Sequence, residues 1–351
     1  MKKKILIAPL NWGLGHATRC IPIINALLQH NFIPIIASDG AALALLRKEF
    51  PKLQTIELPT YDIRYSTKGY FLKLKLFLNA PRIIKAIKSE HKMTEQIVKT
   101  HQIDGIISDN RFGAFHKSVP SIFITHQIKV LSGNTTWLST KLHEKYIMKF
   151  NECWVPDTSA STNLTGKMGH VNQSKLTVKY IGPLSRFQKT SASMQYDVMV
   201  LLSGPEPQRT ILEKKLLLEF KSFSGKVLFV KGIIEPEEKI ITIGNLTIYN
   251  FMTSELLEKS LNASQLIVAR PGYTTLMDLA KLGKKAFFIP TPGQFEQIYL
   301  AKRMSEKKLA PSCHQEDFTL EKLLDTSYYN GLNTIEYQAD FGKLFQLFER
   351  E

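Results

Sequence analysis

Two short stretches of this chain set reactive side chains beside glycines that let the backbone turn. The first is Asn11-Trp12-Gly13-Leu14-Gly15-His16-Ala17-Thr18-Arg19. Gly13 and Gly15 permit a tight turn and a close approach to a ligand. A helix starting there would aim its unpaired N–H groups at the same point. Three chemistries fit this loop. One is a dinucleotide fingerprint, with Asp39 as the ribose-binding acid, but Thr18 stands where the third glycine belongs and His16 blocks the approach of the cofactor. Another is a plain strand–helix turn with a capping histidine. The third is a general base: an imidazole titrating near neutrality takes a proton from a hydroxyl, and the helix N-terminus favours the neutral ring that a base requires.

The second stretch is Arg270-Pro271-Gly272-Tyr273-Thr274-Thr275-Leu276-Met277-Asp278, with Pro290-Thr291-Pro292-Gly293-Gln294-Phe295-Glu296-Gln297 after it. The hydroxyls of Thr274 and Thr275 and a helix N-terminus can hold a diphosphate. Asp278, one turn on, can accept from ribose hydroxyls, and Glu296 and Gln297 can bind those of a sugar. A base such as uracil needs a strand-end backbone, which Phe251-Met252 offers. Helix starts commonly carry Thr, Asp and Glu simply as caps. Two consecutive starts aimed at one sheet end favour a binding site.

These loops need strands and helices to hold them. Apolar runs at Ile5–Leu10, Phe32–Ala37, Leu53–Leu58, 105–108, 121–125, Glu152–Val155 and 179–181 read as strands. Ala17–Gln29 and Ala41–Phe50 carry helical spacing between them, so the first half predicts βαβ units and a parallel sheet. The polar stretch 185–195 reads as a linker. The pattern then restarts, with strands at Asp197–Leu202, Lys226–Val230, Leu246–Phe251, Leu266–Ala269 and Ala286–Pro290. Helices are expected at Gln208–Phe220, Thr274–Leu282 and Glu296–Ser305. The expected organisation is an α/β protein with two Rossmann-like, doubly wound domains, 1–184 and 196–335, facing a central cleft. Residues 336–351 form a final helix that packs back on the first domain. Both loops then fall at the carboxyl ends of parallel strands, where such sheets bind ligands.

Composition narrows the setting. The 351 residues hold a formal net charge of +15, which calls for an anionic partner. Residues 61–99 hold nine Lys/Arg against three acids, and Tyr70–Leu78 interleaves aromatics, leucines and lysines. This segment reads as a peripheral face for anionic membrane, or as a solvated helix whose leucines are core. No nucleic-acid motif accompanies it, so no nucleic-acid partner is expected. The sequence has no run of about 18 apolar residues. The three cysteines make no metal pattern, and a reducing cytoplasm is the expected compartment, with attachment at the inner face of the plasma membrane.

Segment 266–301 resembles the donor-binding region of the bacterial N-acetylglucosaminyltransferase family that makes lipid II, and of related GT-B enzymes. The likeness rests on Arg270, Gly272, Thr275, Asp278, Gly283, Pro290, Gln297 and Tyr299, without a gap. Gly13-Leu14-Gly15-His16 is similar to that family's first glycine-rich loop, Ser203-Gly204 to its inter-domain loop, and Thr125-His126-Gln127 to its His-Glu-Gln segment. Pro271, Asp278 and Ala301 depart from the pattern, as does Ser203-Gly204-Pro205-Glu206-Pro207, which offers fewer N–H donors.

The resemblance implies the GT-B fold and an inverting, metal-independent transfer from a UDP-sugar, GlcNAc or another hexose, to a hydroxyl of a lipid-linked or glycan acceptor. His16 is then the catalytic base. The donor contacts are Gly13, Gly15, Ser203, Gly204, Met252, Arg270, Gly272, Tyr273, Thr274, Thr275, Asp278, Glu296 and Gln297, with Arg270 and helix N-termini stabilising the leaving diphosphate. Asp109, His126 and Gln127 lie on the acceptor side. No metal and no cofactor beyond the co-substrate is expected. A UDP-sugar 2-epimerase of the same fold and a non-catalytic nucleotide-sugar-binding protein are the alternatives.

Overall fold

A computed structural model describes residues 2–61, 72–171, 175–233, 235–332 and 339–349, with the backbone alone for 72–80. The chain divides into two compact units. One consists of Met1–Arg64, Leu72–Ser185 and Tyr337–Glu351, and the body of the other is Arg186–Glu336.

The first unit is a seven-stranded sheet. Its strands are β1 (Lys4–Pro9), β2 (Ile33–Ser38), β3 (Thr55–Glu57), β4 (Gly105–Asp109), β5 (Ser121–Ile124), β6 (Glu152–Val155) and β7 (Val178–Tyr180). They lie in the order β3-β2-β1-β4-β5-β6-β7 and every pairing is parallel. The helices are α1 (Gly15–Gln29), α2 (Gly40–Glu49), α3 (Leu72–His101) and α4 (Thr136–Ile147). The buried run Ile5-Leu6-Ile7-Ala8 makes β1 a central strand, covered on both faces. Strand order reverses between β1 and β4, which is the topological switch point of a doubly wound sheet.

A last helix, α9 (Phe341–Glu349), packs on this unit. Phe345 is buried, with its ring edge-on to Phe32 and to His30 at 5.6 Å each. Phe348 lies so close to β4 that a Cβ on Gly105 would meet its ring at 2.3 Å, so glycine is required there.

The second unit is a six-stranded sheet of β8 (Tyr196–Leu201), β9 (Val227–Val230), β10 (Ile240–Ile243), β11 (Leu246–Tyr249), β12 (Ser264–Ala269) and β13 (Lys285–Phe288), ordered β10-β11-β9-β8-β12-β13. All pairs are parallel except the β10–β11 hairpin. Here the order reverses between β8 and β12. Helices α5 (Gln208–Phe220), α6 (Ser254–Asn262), α7 (Tyr273–Leu282) and α8 (Phe295–Glu306) follow their strands. Val198, Val200, Leu212, Leu216, Phe229, Val268, Phe287 and Phe318 fill the core.

In the stretch 185–195, read from sequence as a linker, residues 188–190 are bonded to α6. Phe187 is buried, the Thr190 N–H donates to Asn262 Oδ1 at 3.1 Å, and Asn262 Nδ2 donates to the Gln188 carbonyl at 3.0 Å.

The basic segment divides. Residues 62–71 lie outside the described residues, as do the side chains of 72–80. In the rest of α3, Ile87, Glu90, Thr94, Ile97 and Val98 face the core, while Arg82, Lys85, Lys88, Lys92 and Lys99 are exposed. That part is a solvated helix face. No described helix is long and apolar enough to cross a membrane.

Candidate active site

β1 ends in the loop that carries His16, and β4 ends in Asp109, so the switch point brings together residues ninety-three apart in sequence. His16 is the second residue of α1 and keeps 14% of its side chain exposed, whereas Asp109 is fully buried. His16 Nδ1 lies 2.9 Å from Asp109 Oδ1. Arg19, on the same face of α1 and 2% exposed, forks onto Asp109 through Nε and Nη2. Its Nη1 lies 3.0 Å from Nδ1 of His126, which follows β5.

The cluster is an imidazole backed by a carboxylate, with a guanidinium neutralising that carboxylate. Burial alone would raise the Asp109 carboxyl, but Arg19 and then His16 pull it down to about 2. Burial lowers the His16 pKa, Asp109 opposes that, and Arg19 and His126 add to it, leaving the ring neutral at physiological pH. The Cys20 thiol, 3.8 Å from Asp109, is held protonated by burial and by the carboxylate.

Gln127 stays outside the cluster. Its Nε2 donates to the Met168 sulfur at 3.5 Å and its N–H to Thr125 Oγ1 at 3.2 Å. Asp39, the acid that a dinucleotide fingerprint would require, is buried against Arg111 Nη1 at 2.7 Å and Asn11 Nδ2 at 3.3 Å. It braces the first loop and is not presented to a ribose. Arg111 also grips Glu90 of α3, so buried charge fastens loop, sheet and helix together.

In the second unit, β8, β12 and β13 are neighbours, and their carboxyl ends lead through short loops into α5, α7 and α8. None of these helices has a side-chain cap at its N-cap residue, Pro207, Gly272 or Gln294. These helix starts form a candidate anion-binding rim, in which α7 and α8 aim N–H groups and dipoles at the sheet end, while at α5 the Glu206 carboxylate accepts the Thr210 N–H at 3.2 Å. Gly204 has φ +101, and a Cβ there would have only Thr291 Oγ1 within 4 Å, at 3.7 Å. Thr274, Thr275 and Asp278 form a half-buried stripe on α7, and Glu296 is half-buried at the start of α8. Met252 lies beyond β11, at the same end of the sheet.

Three expected donor contacts have a different place. Tyr273 is 2% exposed and fills the core. Gln297 is buried, and its Oε1 accepts the Thr291 N–H at 2.7 Å, shaping the loop ahead of α8. Arg270 is 1% exposed beneath the loops. Its Nη1 donates to the carbonyls of Ile289 and Pro290 at 3.0 Å each, and its Nη2 to Gln208 O at 3.1 Å and Gln315 Oε1 at 2.5 Å. The guanidinium therefore ties two loops together from below, and burial pushes its pKa down to about 10. Gly13 and Gly15 belong to the first unit, in the loop that presents His16.

Sequence reasoning missed two residues. Arg19 carried a signal, being a charge three residues after His16 on a helix face of Ala17, Cys20 and Ile23. Thr291 carried none: its buried Oγ1 has no hydrogen-bond partner. Among the described residues, no group of three or more His, Cys, Asp or Glu side chains is arranged to hold a metal ion.

Residues 208–339 match the glycosyltransferase family 28 C-terminal domain, which covers the α5, α7 and α8 rim. An uncharacterized glycosyltransferase of Methanopyrus kandleri is 21% identical over 310 residues, which span 83% of this chain and 87% of the relative. The UDP-N-acetylglucosamine–N-acetylmuramyl-(pentapeptide) pyrophosphoryl-undecaprenol N-acetylglucosamine transferase of Listeria monocytogenes is 21% identical over 295 residues, 79% of this chain and 76% of the relative. In fold, the chain is similar to the glycosyltransferase of kitacinnamycin, with a TM-score of 0.64 and 14% identity over 93% of this chain and 89% of the other. It is likewise similar to Acinetobacter baumannii MurG, with a TM-score of 0.59 and 13% identity over 99% and 100%. The chain is a GT-B glycosyltransferase that resembles the lipid-II-forming N-acetylglucosaminyltransferase family and carries a glycosyltransferase family 28 C-terminal domain.

Proposed function

We propose that the protein transfers a sugar, GlcNAc or another hexose, from a UDP-sugar to a hydroxyl of a lipid-linked acceptor, inverting the anomeric carbon without a metal ion. The observation that carries this reading is the His16–Asp109 pair at the switch point of the first sheet, in a chain whose residues 208–339 match the glycosyltransferase family 28 C-terminal domain.

The chemistry balances as one displacement. The acceptor oxygen attacks C1 of the sugar from the face opposite the diphosphate. The C1–O bond to phosphorus breaks, and its electron pair leaves on UDP. The hydroxyl proton passes to Nε2 of His16, and Asp109 stabilises the imidazolium that forms. The N-termini of α7 and α8 take up the charge on the leaving diphosphate. Thr274 and Thr275 hold phosphate oxygens, Asp278 the ribose, and Glu296 the sugar hydroxyls. Ser203 and Gly204 frame the diphosphate.

A lipid-linked acceptor is supported by α4. Its inner face seats His143 and Ile147 against the loop that carries His126, with Thr140 Oγ1 accepting the Val130 N–H at 3.1 Å. Its outer face and following turn expose Trp137, Leu138, Lys141, Leu142, Lys145, Met148 and Lys149, which are apolar or cationic throughout. Such a helix side suits the interface of an anionic bilayer, at the inner face of the plasma membrane.

The test is a thermal-shift panel of nucleotides and nucleotide sugars. UDP and UDP-GlcNAc should stabilise the protein through ligand linkage. Stabilisation by NAD alone would overturn the reading.

A further inference from the structure

The starts of α5, α7 and α8 converge on one guanidinium. Arg270, two residues before the N-cap of α7, donates through Nη2 to the carbonyl of Gln208, the first residue of α5. Through Nη1 it donates to the carbonyls of Ile289 and Pro290, in the loop that leads to α8. The same loop reaches the turn after β8, where a Cβ on Gly204 would lie 3.7 Å from Thr291 Oγ1. That hydroxyl is buried without a hydrogen-bond partner, the pattern expected where a ligand atom completes the bonding.

At α5 the chain supplies an anion of its own. Glu206 Oε2 accepts the Thr210 N–H at 3.2 Å, a donor that the helix leaves unpaired, and Oε1 accepts from Arg209 Nε at 2.6 Å. Burial alone would raise the Glu206 pKa, but the bonds from Thr210 and Arg209 carry it below the ordinary carboxylate value, so the group is ionised at neutral pH. Behind it the charges alternate in sign: Arg209 also grips Glu213, which pairs with Lys231 just past β9. Arg209 and Glu213 are covered and Glu206 is the exposed end of the row, so the charge facing outward at the start of α5 is negative.

A carboxylate beside a diphosphate discriminates by charge. In a UDP-sugar each phosphate carries one negative charge. Once the bond to the sugar breaks, the terminal phosphate of UDP can lose a further proton, with a pKa of about 6 as in a phosphorylated side chain, and is close to doubly charged at pH 7.5. Repulsion from a fixed carboxylate grows in proportion to that charge.

We propose that Glu206 is a specificity-determining residue of the donor site: its carboxylate weakens the binding of UDP, the product, more than that of a UDP-sugar. The inference rests on the reading of this rim as a UDP-sugar site. It deepens that reading by giving α5 a different task from α7 and α8. Those helices attract the diphosphate, and the carboxylate on α5 opposes it most once transfer has added a charge, which favours the departure of UDP.

Calorimetric titration of the full chain at pH 7.5, without acceptor or divalent ions, tests this with UDP, UDP-GlcNAc and UDP-glucose. Glu206→Gln keeps the shape and the acceptor oxygen for the Thr210 N–H and removes only the charge. In that variant UDP should bind about tenfold tighter and the UDP-sugar about threefold tighter, so that the ratio of the two Kd values changes about threefold. Glu206→Asp keeps the charge and should keep the wild-type ratio. Equal gains for both ligands in Glu206→Gln, a loss of affinity for UDP, or the same change of ratio in Glu206→Asp would each overturn the proposal and leave the donor reading standing. No binding of UDP or of either UDP-sugar by the wild type and by Glu206→Gln would sink the donor reading, and the inference with it.

Discussion

The two units place their sites at the same kind of position, the carboxyl ends of strands at a switch point, and furnish them differently. In the first unit the site is made of side chains: His16, Asp109, Arg19 and His126 tie one another into a buried ionic cluster. In the second the candidate rim is made of backbone: the N-termini of α7 and α8, with Arg270 beneath as a strut. Under the proposed function, the difference follows from the task. Moving a proton requires a group that titrates, and a titrating group needs neighbours that fix its hydrogen and its pKa. Receiving a diphosphate requires fixed positive potential, which helix ends supply without a proton to manage. The side-chain site should therefore fail in rate, and the backbone site in affinity and stability.

The sharpest way to break that comparison is His16→Ala. Turnover is expected to fall about 10²–10⁴-fold, with UDP affinity by calorimetry unchanged. A loss of UDP affinity of similar size would erase the distinction. The pH profile sharpens it. A base must be deprotonated, so activity falls as pH drops through the His16 pKa, which burial places below 6.5. Asp109→Asn removes the group that raises this pKa, and the acid limb of kcat/KM should move to lower pH as turnover falls. Movement to higher pH would mean that Asp109 does not face the base.

Arg270→Met probes the second unit. It leaves the carbonyls of Ile289, Pro290 and Gln208 without their donor, and each charge-assisted bond is worth about 1.5–3 kcal/mol, partly recovered by water. A fall of several degrees in Tm and about tenfold weaker UDP binding are expected. Unchanged Tm with weaker binding would return Arg270 to direct contact with the diphosphate.

Much of this was legible in the sequence, and the exceptions have physical causes. Strands buried on both faces, such as Ile5-Leu6-Ile7-Ala8, announce themselves as apolar runs. β10 was overlooked because Ile240, Ile241 and Ile243 are all more than half exposed, which erases the alternation of a half-buried strand. The Gly244-Asn245 turn beside it was a usable hairpin signal. α4 escaped because its outer face is as apolar as its inner one, so no amphipathic stripe stands out. For the same reason membrane affinity should lie there: Trp137→Glu with Leu142→Glu is expected to weaken binding to anionic vesicles about tenfold at low salt, with Tm unchanged. Retained flotation would remove α4 from that role. In the sites, His16, Asp109 and His126 were recognisable by residue type. The structural place of Gln297 and Arg270 was not, because a buried strut and a ligand contact use the same side chains.

Thr291 gives the smallest test and the most discriminating. Its hydroxyl is buried beside the Gly204 turn and unsatisfied, at a cost to the folded state of about 1–3 kcal/mol. Thr291→Val keeps the β-branched shape and removes that cost, so the free protein should gain about 1 kcal/mol in denaturant unfolding. If the hydroxyl exists to meet a donor oxygen, the same change should weaken UDP-sugar binding a few-fold. Opposite signs in the two measurements would mark Thr291 as a group kept for the ligand at the expense of the fold. A gain in stability with no loss of affinity would show that the rim needs backbone donors alone, and would make the contrast between the two units complete.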